Sequence, residues 1–279
     1  MKIGFSTWAM PEMSIDEALM SLAEIGYDGV EPTVIRPWST ELDTLHAAER
    51  LRIRELFDRY GLELPAVAGH ASLLSPQAQA HADNWRRLTG AVDLCVEWAG
   101  SAGPAALDTT LGSGPESWKN RTFVLERLNA LVAYCAERDV VLALEPYVGD
   151  GLEDPGQVVE LLTEVDSPYC KLNFDISHFD VQGFTTAETV AALGPHTVHT
   201  HVKDQRGRVP DFDFMIPGEG DFDYVEYLQE MKKAGYNGYI SAEISMQVHR
   251  RPGYDPLAAA EMTYRTLTRA FEEAGIDRG

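Results

Sequence analysis

The sequence predicts a single (β/α)8 barrel, because short β-rich segments alternate with amphipathic helical segments along all 279 residues. The β-rich segments are largely apolar, as parallel strands that are buried on both faces should be. No proline-rich or low-complexity stretch divides the chain, so we expect residues 1–279 to form one domain. The rival fold, an open doubly wound sheet that binds dinucleotides, would need GxGxxG after the first strand, where the sequence reads FSTWAMPEMS.

Eight segments are predicted strands. In chain order they read KIGFSTW, GVEPTV, ELPAVAGH, GPAALDTT, VVLALEPY, KLNFDIS, TVHTHVKD and GYISAEIS. Helical periodicity fills the stretches between them. In the first, SIDEALMSLAEIG, Ser14 and Glu17 form a capping box and Gly26 stands at the C-cap position. The same period recurs in TLHAAERLRIRELFDRYG, FVLERLNALVAYCAERD, DYVEYLQEMKKAG and DPLAAAEMTYRTLTRAFEEAG.

The charge balance argues against two classes of partner. Lys and Arg number 23 against 44 Asp and Glu, which gives a net charge of −21. Such a chain repels phosphate backbones and anionic lipid, so we expect no nucleic-acid or membrane partner. Cys95, Cys135 and Cys170 lie in apolar segments without CxxC spacing, which favours a reducing compartment. The chain opens on a strand pattern rather than a leader, so a soluble cytoplasmic protein is expected.

Functional residues are expected at the carboxyl ends of the strands, where barrel enzymes place their chemistry. This sequence carries an ionisable or aromatic residue at most of those ends. They are Trp8, Glu31, His70, Glu145, Asp175 with His178 beyond it, His199 with His201, Lys203 and Asp204, and Glu243. Groups at so many strand ends imply a shared polar pocket.

Four of these residues form a candidate metal site. Glu145, Asp175, His201 and Glu243 come from four consecutive strands, so their side chains can converge. Three carboxylates and one imidazole favour one divalent ion, Mn²⁺ first and then Mg²⁺ or Co²⁺, with Zn²⁺ as an alternative. Without a cation these carboxylates would raise one another's pKa values. His199 shares a face with His201 by the two-residue period of a strand and is expected deeper in the interior.

Longer motifs carry a resemblance to a known family. The stretches IGYDGVE, LALEPY, NFDISH, HTHVKD and IPGEGDFDYVEYLQEMKKAGYNGYISAE resemble the sugar phosphate isomerase/epimerase superfamily, the xylose-isomerase-like TIM barrels. The similarity runs nearly end to end. The superfamily includes ketose 3-epimerases, hydroxypyruvate isomerase, inosose dehydratase, 3-dehydroshikimate dehydratase and the endonuclease IV group. The resemblance therefore implies the same barrel and a choice among several reactions.

The resemblance also implies roles for single residues. In the epimerases of this group a Glu, Asp, His, Glu set binds one divalent ion, and by motif it falls on the four residues named above. Glu145 and Glu243 would also act as the acid/base pair at the reacting carbon. His178 would contact substrate hydroxyls, and Arg206 or Arg208 would do so after strand seven. The predicted substrate contacts are Trp8, Glu31, His70, His178, Lys203 and Arg206.

Two departures from the family patterns narrow the function. Ketose epimerases tend to carry an acidic residue after the ligand histidine, whereas this chain has Lys203 and then Asp204. The endonuclease branch needs extra histidines on strands three and four and a D-x-H pair after strand seven. Here Asp213 stands where that last histidine belongs, and strand four ends in ALDTT. The sequence therefore argues against DNA repair.

The leading prediction is a metal-dependent isomerase or epimerase that moves a proton α to a carbonyl through a metal-stabilised enediolate of a carbohydrate. The alternative is a metal-dependent lyase or dehydratase that acts by β-elimination on a keto-sugar, keto-inositol or 3-keto-glycoside. A non-catalytic sugar-binding subunit would predict a broken ligand set, and all four ligands are present. Trp8, Trp38 and Tyr147 are candidate apolar walls for a sugar ring, and a homodimer or homotetramer is expected.

Overall fold

The strands follow the predicted segments closely. The computed structural model describes residues 1–100, 103–112 and 118–279. In these ranges the strands are β1 (Lys2–Ser6), β2 (Gly29–Glu31), β3 (Ala66–Ala68), β4 (Ala106–Thr109), β5 (Leu142–Leu144), β6 (Cys170–Asp175), β7 (Thr197–Val202), β8 (Asp204–Arg208), β9 (Asp211–Met215) and β10 (Tyr239–Ala242). All eight predicted strands are confirmed, as β1 to β7 and β10.

Helices connect the strands in the order expected of a barrel. They are α1 (Ile15–Ile25), α2 (Ala47–Tyr60), α3 (Ala78–Glu97), α4 (Arg121–Ala136), α5 (Pro155–Val165), α6 (Ile176–Asp180), α7 (Thr186–Leu193), α8 (Tyr224–Lys233), α9 (Met246–His249) and α10 (Pro256–Ala274). In the described part of the chain, none of them is both long and apolar enough to cross a membrane.

Eight parallel strands of the described residues form a single (β/α)8 TIM barrel. Their order is β2-β1-β10-β7-β6-β5-β4-β3, and each neighbouring pair is parallel. Two isolated parallel bridges, Gly29 to Glu63 and Thr33 to Ala68, connect β2 with β3 and nearly close the sheet. Because the strands are parallel, all their carboxyl ends lie at the same end of the barrel.

Helix boundaries follow local capping chemistry. The Ser14 hydroxyl accepts from the backbone N–H of Glu17 while the Glu17 carboxylate accepts from the N–H of Ser14, which confirms the capping box. Gly26 ends α1 at φ 110°, a left-handed conformation that glycine adopts without a Cβ penalty. The carboxylates of Asp154 and Asp255 cap α5 and α10, and a proline follows each of them at the first helical position.

The main apolar core lies between the sheet and the helices, and the barrel interior is different. Ala66, Ala106 and Ala143, from β3, β4 and β5, form a small buried cluster of their own. Side chains two residues apart share a face of a strand. Asp108 and Glu145 therefore follow Ala106 and Ala143 on the inward face, which turns polar towards the carboxyl end.

The structure adds elements that the sequence did not predict. Helices α3, α5 and α7 fill connections in which we specified no helical segment. Strands β8 and β9 form an antiparallel hairpin after β7, where the sequence analysis assigned no additional strand. The cysteines are free and buried, in agreement with their apolar surroundings.

Candidate functional site

The predicted metal ligands converge at the carboxyl end of the barrel. Asp175 ends β6 and pairs in register with His201 on β7. Glu145 directly follows β5, and Glu243 directly follows β10. All four side chains are buried, and each offers one ligand atom within 4.8 Å of the others. The four predicted ligands therefore lie together in the structure.

His201 lies at the centre of the cluster. Its Nδ1 is 2.9 Å from Glu145 Oε1 and 3.8 Å from Glu243 Oε1. Its Nε2 is 3.0 Å from Glu31 Oε1. Burial alone would lower the pKa of His201, but the surrounding carboxylates of Glu31, Glu145 and Glu243 outweigh it and raise that pKa well above its usual range. The acidic groups on both sides of the ring therefore favour its protonated form.

Cationic side chains keep two carboxylates of the cluster, those of Glu145 and Asp175, ionised. Burial raises the pKa of Glu145, but the charges of His201 and Lys203 outweigh burial and bring it to about 2. Burial likewise opposes ionisation of Asp175, and the ammonium of Lys203 lowers its pKa nonetheless. Both groups are thus available at neutral pH as anionic ligands or as proton acceptors.

Lys203 is built into the centre of the site. Its Nζ lies 2.7 Å from Asp175 Oδ2 and 2.6 Å from Glu243 Oε2, and the residue is only 2% exposed. Burial would lower its pKa, but the carboxylates of Asp175 and Glu243 raise it instead. The sequence predicted Lys203 as a substrate contact, and in the structure its ammonium is shared between two predicted metal ligands.

Glu31 and His199 form a deeper layer beneath His201. His199 Nε2 lies 2.9 Å from Glu31 Oε2, and all three residues are buried. Burial and the charges of His201 and His199 act in opposite directions on Glu31, and the histidines prevail, so its pKa is well below its usual range. Glu31, which was predicted as a substrate contact, thus lies against His201. His199 occupies the interior position that the sequence predicts.

Two residues of the site, Asn173 and Asp108, were not predicted from the sequence. Asn173 Nδ2 donates to Asp108 Oδ1 at 2.9 Å and lies 3.0 Å from His201 Nδ1. Burial, together with the carboxylates of Glu31 and Glu145, raises the pKa of Asp108 well above its usual range. The signal that could have found both residues is the two-residue period of a strand, since Asn173 precedes Asp175 by two and Asp108 follows Ala106 by two in β4.

Aromatic side chains surround the cluster. Trp8 stacks on Trp38 with ring centroids 4.6 Å apart, and its edge meets His70 at 5.2 Å. His70 in turn lies 3.5 Å from Asp108 Oδ2. The predicted contacts Trp8 and His70 are therefore joined to the polar cluster from the side of β1 and β3.

His178 and the hairpin close the site from the other side. His178 Nε2 lies 3.5 Å from Asp175 Oδ2, and its ring meets Phe214 at 5.1 Å and Tyr147 at 6.2 Å. Phe214 belongs to β9, and its ring centroid is 5.1 Å from Lys203 Nζ. Burial lowers the pKa of His178, which keeps its imidazole neutral.

Arg206 and Arg208 lie on the outside of the hairpin. Arg206 donates to the carbonyl of Glu219, and its side chain is 61% exposed. Arg208 pairs with the Asp180 carboxylate at 2.8 Å. No contact of the described residues joins Arg206 to the buried cluster, so its role with substrate stays a prediction.

The donor set fits a divalent cation. Three carboxylates and an imidazole offer ligand atoms within 4.8 Å of one another, and such oxygen-rich sets suit Mn²⁺ or Mg²⁺. Asp175 Oδ1 also accepts from the backbone N–H and the hydroxyl of Ser177 at 2.9 and 2.6 Å. These bonds orient the carboxylate and leave Oδ2 directed at the cluster.

The barrel and the position of this cluster define a class in which the active site lies at the carboxyl ends of the strands. A model of the family described as xylose isomerase-like TIM barrel matches residues 19–266, so the chain belongs to that family. The proteins that this chain is similar to include sugar 3-epimerases.

Three comparisons illustrate the family. The chain is 26% identical over 261 residues to fructoselysine 3-epimerase of Shigella flexneri, covering 90% of this chain and 93% of that protein. It is 25% identical over 237 residues to L-ribulose 3-epimerase of Methylomonas sp. strain DH-1, covering 81% and 77%. The solved structure of D-psicose 3-epimerase in the presence of D-fructose superposes with a TM-score of 0.79 at 15% identity, covering 99% and 100%.

Proposed function

We propose that the protein is a divalent-metal-dependent sugar isomerase or epimerase, and that Glu145, Asp175, His201 and Glu243 hold its ion. The observation that carries the proposal is the buried convergence of these four donors within 4.8 Å of one another. Similarity to two curated sugar 3-epimerases supports the reaction class. When bound, the ion would supply Lewis-acid polarisation of the substrate carbonyl.

Glu145 and Glu243 suit the transfer of a proton. They follow β5 and β10, which are separated in the sheet by β6 and β7, so their carboxylates reach the centre from two sides. One carboxylate removes the proton α to the carbonyl, and the other carboxyl group returns a proton to the opposite face or to the neighbouring carbon. Glu145 is ionised at neutral pH and can accept the proton.

Neighbouring side chains suit a sugar. A neutral His178 can both donate and accept a hydrogen bond, which matches a hydroxyl group. The stacked Trp8 and Trp38 offer an apolar face of the kind that packs against a sugar ring. The burial of the acidic cluster keeps bulk water from competing for the proton.

Proton exchange followed by NMR in D₂O tests the proposal. Mn²⁺-loaded protein and metal-stripped protein are each incubated with free ketoses, keto-inositols and 3-keto-glycosides. The product is then separated from the protein and examined by NMR. We expect metal-dependent deuterium uptake at a carbon α to a carbonyl, together with a rearranged sugar. Loss of water or of an aglycone would instead indicate a lyase. Protein that takes up no Mn²⁺ would contradict the proposal.

A further inference from the structure

Lys203 contacts two of the carboxylates that the proposed metal ion would need. Its Nζ lies 2.7 Å from Asp175 Oδ2 and 2.6 Å from Glu243 Oε2. Both residues belong to the four-residue donor set. The ammonium therefore stands at two of the carboxylates expected to bind the ion.

The environment makes this contact strong. Asp175 and Lys203 are 0% and 2% exposed, and Glu243 is 6% exposed. Charges that are shielded from water interact far more strongly than charges on a surface. The ring of Phe214, itself 5% exposed, lies over the ammonium with its centroid 5.1 Å from Nζ. A cationic side chain on an aromatic face gains further stabilisation when it is desolvated.

The acidic cluster needs a counter-ion when no metal is bound. Glu145, Asp175 and Glu243 offer oxygens within 4.8 Å of one another, and Glu31 lies on the far side of His201. Carboxylates this close repel one another unless a cation lies between them. Lys203 supplies a full positive charge at the point where two of them meet.

We infer that Lys203 is a built-in counter-ion that stabilises the metal-free site and weakens divalent-cation binding by competing for Asp175 and Glu243. The inference rests on the proposed function, because it concerns the same metal site. A bound ion would either share these two carboxylates with the ammonium, at the cost of repulsion between cations, or displace it from them. In both cases removal of the lysine charge strengthens metal binding.

Calorimetric titration of metal-stripped protein with Mn²⁺ tests the inference. Lys203→Met keeps most of the aliphatic length of the side chain and removes its charge. We expect its Kd for Mn²⁺ to be at least tenfold lower than that of the wild type. Lys171→Met is the matched control, because it makes the same change of charge near the amino end of β6, and its Kd should stay within twofold of the wild type.

Thermal unfolding gives a second readout that needs no turnover. Without metal, Lys203→Met should melt at a lower temperature than the wild type, because its carboxylates have lost their counter-ion. Added Mn²⁺ should raise the melting temperature of Lys203→Met more than that of the wild type. A variant that folds only in the presence of Mn²⁺ would support the inference in the same way.

The outcomes separate the two proposals. A Kd for Lys203→Met that equals or exceeds the wild-type value overturns the counter-ion role and leaves the proposed function intact. Failure of both proteins to bind Mn²⁺ overturns the metal site, and the inference falls with it.

If Lys203→Met folds under no condition, ¹⁵N-lysine NMR of the wild type decides, with the Lys203 signal assigned by its loss in Lys203→Arg. Addition of Mg²⁺ should shift the buried ammonium signal, and an unchanged signal at saturation would refute competition.

Discussion

The Nε2 atom of His201 lies 3.0 Å from Oε1 of Glu31, while its Nδ1 lies 2.9 Å from Glu145. The two ring nitrogens thus face carboxylates from different strands. An N–H donated from one nitrogen fixes the orientation of the ring and leaves the other nitrogen for a metal. Glu31 is therefore a positioning residue, which holds Nδ1 towards Glu145 and Glu243.

Glu31→Gln tests this arrangement. Loss of the carboxylate charge should reduce the basicity of His201 and weaken Mn²⁺ binding by about 10- to 100-fold. Isothermal titration of metal-stripped protein measures the change in Kd. Glu164→Gln is the control, because Glu164 is a partly exposed carboxylate that pairs with Arg121 far from the cluster. An unchanged Kd in Glu31→Gln would show that His201 needs no support from Glu31.

Glu243→Gln tests the acid/base assignment. Glutamine keeps the size of the side chain and an oxygen that can face the cluster, but it can no longer exchange a proton. We expect kcat to fall by about 10³-fold, within the range for loss of a general acid or base. Part of the Mn²⁺ binding should remain, because three donors are unchanged, and titration measures it. Near-native turnover in Glu243→Gln would refute the role.

The barrel and the convergence of Glu145, Asp175, His201 and Glu243 could be predicted because each depends on local pattern. Alternation of short apolar strands with amphipathic helices is visible residue by residue. In a parallel barrel, the last residue of each strand lies at one end whatever the details of packing. Asp175 and His201 could be brought together from the sequence for that reason, and the structure pairs them in register.

The side chains that pair with these four residues could not be predicted in the same way. The sequence predicts Lys203 as a substrate contact at a strand end, but its ammonium is shared by Asp175 and Glu243, which lie 28 and 40 residues away in the chain. Such pairing depends on the twist of the sheet and on side-chain direction, which a single sequence does not give. The hairpin that carries Phe214 was missed because DQRGR contains no apolar residue, so the short alternating segment DFDFM has no apolar partner strand beside it in the sequence.

Gly207→Ala tests whether the hairpin matters to the site. Gly207 has φ +84°, and a Cβ there would collide with the backbone oxygen of Asp211 on the facing strand. The substitution should disturb β8 and β9 and shift Phe214 away from Lys203 and His178. We expect a loss of kcat/KM of about tenfold or more, since small displacements at a site are costly.

A matched glycine separates this local effect from backbone strain. Gly183 also has a positive φ, +96°, but a Cβ there meets no atom within 4 Å. Gly183→Ala should therefore cost about 1 kcal/mol of stability and leave kcat/KM unchanged. Equal kcat/KM values for the two variants would mean that the hairpin does not shape the site.

Asp150 makes stability depend on pH. Its side chain is 2% exposed, and its Oδ1 accepts from the backbone N–H of Leu152 at 2.7 Å. Burial raises the pKa of Asp150 to about 7 from an ordinary value of 3.8, although the backbone N–H groups of Leu152 and Tyr147 oppose the rise. The folded protein thus binds a proton here that the unfolded chain has released.

Because the folded pKa is the higher one, the stabilising contribution is complete below about pH 4 and is lost as the pH rises through about 7. The loss amounts to roughly 1.4 kcal/mol per pH unit in that window, or about 4 kcal/mol in all. Asp150→Asn cannot ionise, so the free energy of unfolding of the wild type minus that of the variant should fall steadily between pH 5 and pH 7.5. Urea unfolding of both proteins at each pH measures this difference, in which other titrating groups cancel. A difference that is independent of pH would mean that Asp150 is ionised in the folded protein throughout the range.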